Sequence, residues 1–563
     1  MKFYMNTVGL VSTAFFLIAC ANNDKDKSTR NINKDIAVSG VPHVESLGIG
    51  TQIHTKISLG EEPRDVYVLL SNYDKADSTV EIKKSLKKSE NIDPKGITKD
   101  KQSFKTFESK QPTVVHAPVE VELFRKNIAQ HLKTSNDSLV QKKNINPTIN
   151  YKDVAGDQKV FYLDAKGSSS TLATARRVVS SSSQYGLKTL NIWVSNDSFG
   201  AGCNKAKCVT QSMVNALAQT FLRAGGDNDI YDWVSNVYGE EWGSTTDASL
   251  IAKNNEITIL LTDISNDNNI KGGVIGFFHP KDNFKISDTI KGSNERIMLY
   301  ADAVVFANGV GAWSIDDFWP KEMISTLAHE FQHMIHFYQK IVRLSSEVTD
   351  TWINEMLSES TEDLIASKIR HTGSRGVDPA VGSAGNPNNT KGRYPRFNTN
   401  NRLSLTTWTG NLTNYSNVNA FGAFLMRNYG GAKLLHDIMH VKYPNEQAIV
   451  HAVRQTPGGS GKTFNDLLRE WGVAVLLSDA NHLSVNLPRY NTGGYIPSQY
   501  NQSVYQLGSI NFFNYNPKPS VSSASGTVAR QGNYYYKVGT GLKGDVQIDI
   551  KLSGQTEATI IVK

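Results

Sequence analysis

The sequence predicts an α+β chain, and three observations carry that expectation. Between about residues 159 and 306, apolar, β-branched and aromatic runs recur ("KVFYL", "LKTLNIWV", "ITILLTDI", "VIGFF", "RIMLYADAVVF") around a helical pattern. From 321 to about 480 the pattern becomes largely helical. In "GDVQIDIKLSG", Val546, Ile548, Ile550 and Leu552 share one face, which predicts a small antiparallel β module over 496–563. A length of 563 residues leaves room for roughly three to four units.

The opening "MKFYMNTVGLVSTAFFLIAC" has a basic Lys2, an apolar run from Val8 to Ala19 and a small residue before Cys20. This is a secretory signal over 1–20, too short to remain as a membrane span. "LIAC" fits the Leu-x-small-Cys lipobox, which makes Cys20 a diacylated anchor and places the chain on the cell surface or periplasmic face of a bacterial membrane. Ordinary cleavage after "ACA" is the competing reading. Residues 21–158 then read as a polar tether followed by short elements, with alternation at "TQIHTKISL" and "RDVYVLL" before a Lys-rich stretch.

Lys and Arg number 60 against 53 Asp and Glu, and the excess is scattered Lys rather than Arg interleaved with aromatics. That describes a solvated surface and predicts no nucleic-acid partner. Cys203 and Cys208, in "GCNKAKC", are the two remaining cysteines; in an exported chain they predict a local disulfide, since a zinc site there would need further soft ligands.

The mixed part, 159–320, includes the helical stretch "VTQSMVNALAQTFL", in which Val209, Met213, Ala216 and Leu217 recur at helical spacing. The helical part, 321–495, is clearest in "KEMISTLAHEFQHMIHFYQKIV", "TWINEMLSESTEDLIASKI", "NAFGAFLMRNYG" and "TFNDLLREWGVAVLL", interrupted by a Gly/Asn/Arg-rich loop at 371–401.

The chemistry concentrates in "AHEFQHMIHF". On a helix, His329 and His333 are four apart and direct two imidazoles at one ion, with Glu330 turned slightly aside toward a water. A catalytic zinc needs a third protein ligand and an open position. The pattern that ends in Gly-x-x-His fails, because His336 stands at its glycine and Gln339 at its last histidine. The other solution takes a glutamate from a second helix. Glu355, twenty-two residues past His333 in "WINEMLSE", fits it, and Glu359 on the same face is placed to accept the far N–H of a ligand histidine. His336 reads as a partly buried helix histidine rather than a ligand. If these were ordinary helix positions, burying two imidazoles and two carboxylates without a partner would cost on the order of several kcal/mol, whereas one zinc ion satisfies all of them.

With those motifs the sequence resembles the gluzincin metallopeptidases, and within them the hyicolysin-type neutral metalloproteinases, over about 159–480. The resemblance implies a mixed β/α upper subdomain and a helical lower one with a cleft between, zinc on His329, His333 and Glu355, and Glu330 as base and proton shuttle. Glu359 departs from the Asp common at its position. Hydrolysis of protein or peptide substrates follows, with an oxyanion donor among Tyr415, Tyr429, His436 and His440, and with "RIMLYADAVVF" as an edge strand for the substrate backbone. Calcium is a further candidate ligand, for "GGDNDIYD" and "TDISNDNN". The alternative class is a lipid-anchored adhesin with a structural or vestigial zinc site; Glu330 argues against it, since a structural site has no use for a base.

Overall fold

A computed structural model describes residues 30–86, 114–115, 117–132, 151–371, 377–378, 383–384, 392–480 and 486–563. Cys20 lies outside them. Five strands come first: β1 (Asn31–Ala37), β2 (His43–Ile49), β3 (Gln52–Ser58), β4 (Arg64–Asn72) and β5 (Ser78–Leu86). A two-residue strand β6 (Val114–Val115) and helix α1 (Val119–Lys126) precede β7 (Gln158–Tyr162), β8 (Ser170–Ser183) and β9 (Gly186–Ser195). Then come α2 (Gln211–Phe221), α3 (Ile230–Tyr238), β10 (Glu256–Thr262), β11 (Gly273–Val274), β12 (Gly276–Phe278), β13 (Ile297–Asp302) and α4 (Ala303–Phe306).

The helical part holds α5 (Phe318–His336), α6 (Thr351–Ile369), two short strands β14 (Val377–Asp378) and β15 (Ser383–Ala384), α7 (Arg393–Asn400), α8 (Leu412–Asn428), α9 (Ala432–Met439), α10 (Gln447–Arg454) and α11 (Phe464–Leu476). A hairpin, β16 (Ile496–Tyr500) and β17 (Ser503–Leu507), leads to β18 (Ser525–Val528), β19 (Gly532–Leu542), β20 (Asp545–Leu552) and β21 (Thr556–Val562). The chain is α+β, as its patterning predicts.

The central sheet runs β12-β13-β10-β9-β8-β7. Strands β9, β10 and β13 are parallel neighbours, and β10 and β13 are buried on both faces, hence the nearly continuous apolar runs "ITILL" and "IMLYA". Alternate residues divide between two cores. Ile257, Ile259 and Leu299 face the helices, whereas Leu260, Met298 and Tyr300 pack with Trp193 on the other side.

The expected edge strand "RIMLYADAVVF" is not an edge. Residues 297–302 form β13, which β12 covers in antiparallel register, and Asp302 then caps α4 by accepting from Val305 N at 2.8 Å. The free edge next to the helical part is β12.

The strands at 525–562 pair antiparallel as expected, but their partners come from the other end of the chain. Sheet β1-β3-β20-β5-β18 and sheet β19-β4-β21-β2 interleave strands of residues 31–86 with those of 525–562. Together they enclose their own core of Ile53, Val68, Ile82, Ile548 and Ile560. The alternation of β20 is therefore completed by partners from the opposite end of the chain. Helix α11 docks on the second sheet at Gly472, where a Cβ would stand 2.7 Å from Leu69 Cδ1. Asn533 Nδ2 donates to the Leu468 carbonyl at 2.9 Å across that contact. Among the described residues, no helix is long and apolar enough to cross a membrane.

Candidate metal centre

Helix α5 is buried along most of its length, between β12 and β13 on one side and α6 on the other. Its pairs with α6 fix an antiparallel register: His333 meets Asn354, Glu355 and Ser358, His329 meets Glu362, and Ser325 Oγ donates to Glu362 at 2.9 Å. Helix α8 packs closely on α6, where a Cβ on Gly422 would stand 2.2 Å from Ser360 Oγ.

His329, His333 and Glu355 converge, their ligand atoms within 4.8 Å of one another and all three buried. His329 Nε2 lies 3.4 Å from Glu355 Oε2, and His333 Nε2 lies 3.4 Å from Glu355 Oε1. Ligand atoms about 2.0–2.1 Å from a tetrahedral zinc stand about 3.4 Å apart, so both nitrogen–oxygen spans suit that ion. The far ring nitrogens are held from behind. His329 Nδ1 donates to Glu362 Oε1 at 3.0 Å, and His333 Nδ1 lies 3.2 Å from Asn354 Oδ1, leaving each Nε2 toward the centre.

Burial disfavours charge on all of these groups, and pairing outweighs it at His329 and Glu355. Burial works against the His329 imidazolium, but the carboxylates of Glu355 and Glu362 raise its pKa to about 10. Burial would raise Glu355, and the two histidines pull it well below the usual carboxylate range instead. His333 goes down, through burial and the nearby Arg125. The centre thus gathers carboxylate charge that suits a cation, which would be held by His329, His333 and Glu355 in place of the His329 proton.

Glu330 is fully buried. Its Oε2 accepts from Phe278 N of β12 at 2.9 Å and from Arg125 at 2.8 Å. Its Oε1 has no hydrogen-bond partner among the described residues and stands 3.9 Å from His329 Nε2, on the side of the converging ligands. A buried carboxylate oxygen left open beside that set suits a group that takes up a proton from water.

Glu359 was the expected partner of a ligand histidine; the structure gives that hydrogen bond to Glu362, one turn further along α6. Glu359 remains within 4.8 Å of His329 and Glu362, but its carboxylate is gripped by Arg393 Nε at 3.0 Å and by Asn419 Nδ2 at 2.8 Å, tying α6 to α7 and α8. His336 is buried with its Nε2 3.1 Å from Thr349 Oγ1. Of the four oxyanion candidates, Tyr429 is taken by Glu470, and His436 stacks between His440 and Tyr500. Tyr415 is buried, its ring 4.9 Å from that of Trp408 and 5.4 Å from the Arg393 guanidinium, and its hydroxyl is pushed up by burial and then by the charges of Glu355 and Glu122.

The acidic clusters have local uses. Asp229 caps α3 by accepting from Asp232 N at 2.9 Å, and Asp263 pairs with Lys205 at 2.9 Å. Cys203 and Cys208 form the expected disulfide, with Cα atoms 5.9 Å apart.

Comparison with known proteins agrees with this geometry. A family model, Peptidase M30, matches residues 168–529. A stretch of 187 residues, 33% of this chain, is 26% identical to the neutral metalloprotease ShpI of Staphylococcus hyicus and spans 36% of that protein's length. All the residues brought together around His329 and His333, apart from Arg125 and Glu122, lie inside the matched region, and the chain belongs to the Peptidase M30 family.

Proposed function

We propose that this protein is a zinc-dependent endopeptidase that hydrolyses peptide bonds in protein or peptide substrates, with His329, His333 and Glu355 as ligands and Glu330 as general base. The observation that carries the reading is the meeting of those three ligand atoms beside the open Oε1 of Glu330. Zinc held there supplies a Lewis acid that polarises a peptide carbonyl and brings the pKa of water down to about 7.

The remaining steps belong to the chain. Glu330 takes the proton from the attacking water through Oε1 and delivers it to the leaving amine, while the Phe278 N–H holds its other oxygen in place. Glu362 fixes the His329 ring by accepting from Nδ1. Tyr415 is assigned as the hydroxyl donor to the tetrahedral oxyanion. As the outermost strand of its sheet, β12 presents a backbone edge for an extended substrate. Export and tethering through a lipid on Cys20 complete the proposal, supported by "LIAC" and by a disulfide suited to an oxidising compartment.

The test is casein hydrolysis with and without a chelator, beside zinc content by mass spectrometry. Glu330→Gln is expected to keep one zinc per chain while losing about 10²- to 10⁴-fold in kcat. Hydrolysis in that variant equal to the wild type's, or wild-type hydrolysis that persists under chelation, overturns the reading.

A further inference from the structure

The cationic group that touches Glu330 comes from outside the zinc-binding helices. Arg125, on α1, is buried, and its Nη2 donates to Glu330 Oε2 at 2.8 Å and to the Phe278 carbonyl at 2.7 Å. Its Nη1 donates to Glu122 Oε1 at 2.8 Å and stands 3.9 Å from Glu355 Oε1. Burial opposes the guanidinium charge, but Glu330, Glu122 and Glu355 together outweigh it and keep the group cationic. One side chain thereby occupies the proposed base, crowds a proposed ligand and takes the carbonyl at the free edge of β12.

Two further contacts seat the segment that carries it. Val114–Val115 pairs in parallel with Gly273–Val274, the short strand that immediately precedes β12. Phe124 and Ile128 sink into the largest core, with the Phe124 ring 4.9 Å from His279 and 6.0 Å from Phe284. A pairing strand followed by a side chain directed at the reacting groups is how an extended peptide engages such a cleft. The matched family region begins at residue 168, so α1 lies outside it while Glu330, Glu355 and Phe278 lie within.

We infer that residues 117–132 form an intramolecular inhibitory segment that holds the peptidase latent, with Arg125 occupying the place of the substrate at Glu330. The inference rests on the peptidase reading. A carboxylate engaged by a guanidinium must give up a charge-assisted hydrogen bond before it can accept a proton, and a cation 3.9 Å from Glu355 opposes a divalent ion on the same carboxylate. Activity therefore requires α1 to be displaced.

The experiment compares the zinc-loaded full chain with Arg125→Ala and Arg125→Lys. It reads casein hydrolysis, calorimetric binding of a peptide hydroxamate, and amide hydrogen exchange over residues 119–126. Arg125→Ala is expected to raise kcat/KM and hydroxamate affinity by about tenfold or more. Arg125→Lys, which keeps the charge but loses the forked donor, should fall between and also serves if the alanine variant does not fold. Hydroxamate binding to the wild-type chain should accelerate exchange at 119–126. If Arg125→Ala lowers hydrolysis and the hydroxamate leaves α1 protected, Arg125 belongs to the working site and the inference falls. If no chain hydrolyses casein although zinc is bound, the peptidase reading fails by itself. Exchange at α1 then still decides occupancy of the cleft: acceleration by the hydroxamate upholds it, and unchanged protection rejects it.

Discussion

At the scale of single residues, the centre depends on how each ring nitrogen is held from behind. Glu362 has no place in the His-Glu-x-x-His signature, yet it fixes His329 through Nδ1 and receives Ser325 on its other oxygen. Glu362→Gln is expected to weaken zinc affinity by about 10- to 100-fold while leaving hydrolysis measurable at saturating zinc. Competition with a chromophoric chelator reads this directly, and an unchanged affinity counts against the assigned role. Tyr415→Phe removes one hydroxyl; kcat should drop by about 10²- to 10³-fold with zinc content unchanged. Equal turnover would return the donor to an unassigned group. His329 and His333 were legible as a pair because helical spacing puts them on one face, whereas Glu355, on a second helix, was singled out by its distance along the chain from them; the structure brings the three together. Glu362 carried a signal too, since it lies seven residues after Glu355 on the same face of α6, but Glu359 at four residues carried the same one, and only the position of Arg393 separates them. Arg125 left no trace, because one basic side chain in a Lys-rich neighbourhood reads as surface.

At the scale of elements, close approach decides what can be replaced. Helix α11 meets the sheet of β4 and β19 at Gly472, where Leu69 Cδ1 and Asn533 Nδ2 leave no room for a Cβ. Gly472→Val should cost about 1–3 kcal/mol by overpacking. Thermal unfolding should show a lower Tm with casein turnover at low temperature preserved, since that contact does not reach Glu330. A Tm equal to the wild type would mean that the sheet shifts freely against α11. The type of most elements was readable from periodicity. The edge position was not, because "VIGFF" shows an apolar run but not that its last three residues, β12, pair outside β13 and displace it from the rim.

At the scale of the whole molecule, the chain closes on itself. Strand β4 lies between β19 and β21, and β5 between β20 and β18. Cutting the chain at a protease site inserted between residues 87 and 113 should therefore leave the piece holding β1–β5 attached. It is expected to co-elute on size exclusion and to separate only in denaturant; spontaneous separation would contradict the interleaved sandwich. No local pattern reveals such pairing, because a strand's hydrophobic alternation says which face is buried and nothing about which distant strand lies alongside.

That arrangement also sets a timetable. Of the first five strands, only β1 and β3 hydrogen-bond to one another; the partners of β2, β4 and β5 come from residues 525–562. During synthesis at about 5–20 residues per second, those early ribbons wait on the order of a minute for their neighbours to emerge. Charged "EIKKSLKKSE", running through and just past β5, is the kind of sequence that keeps an unpaired edge from meeting another copy in that interval.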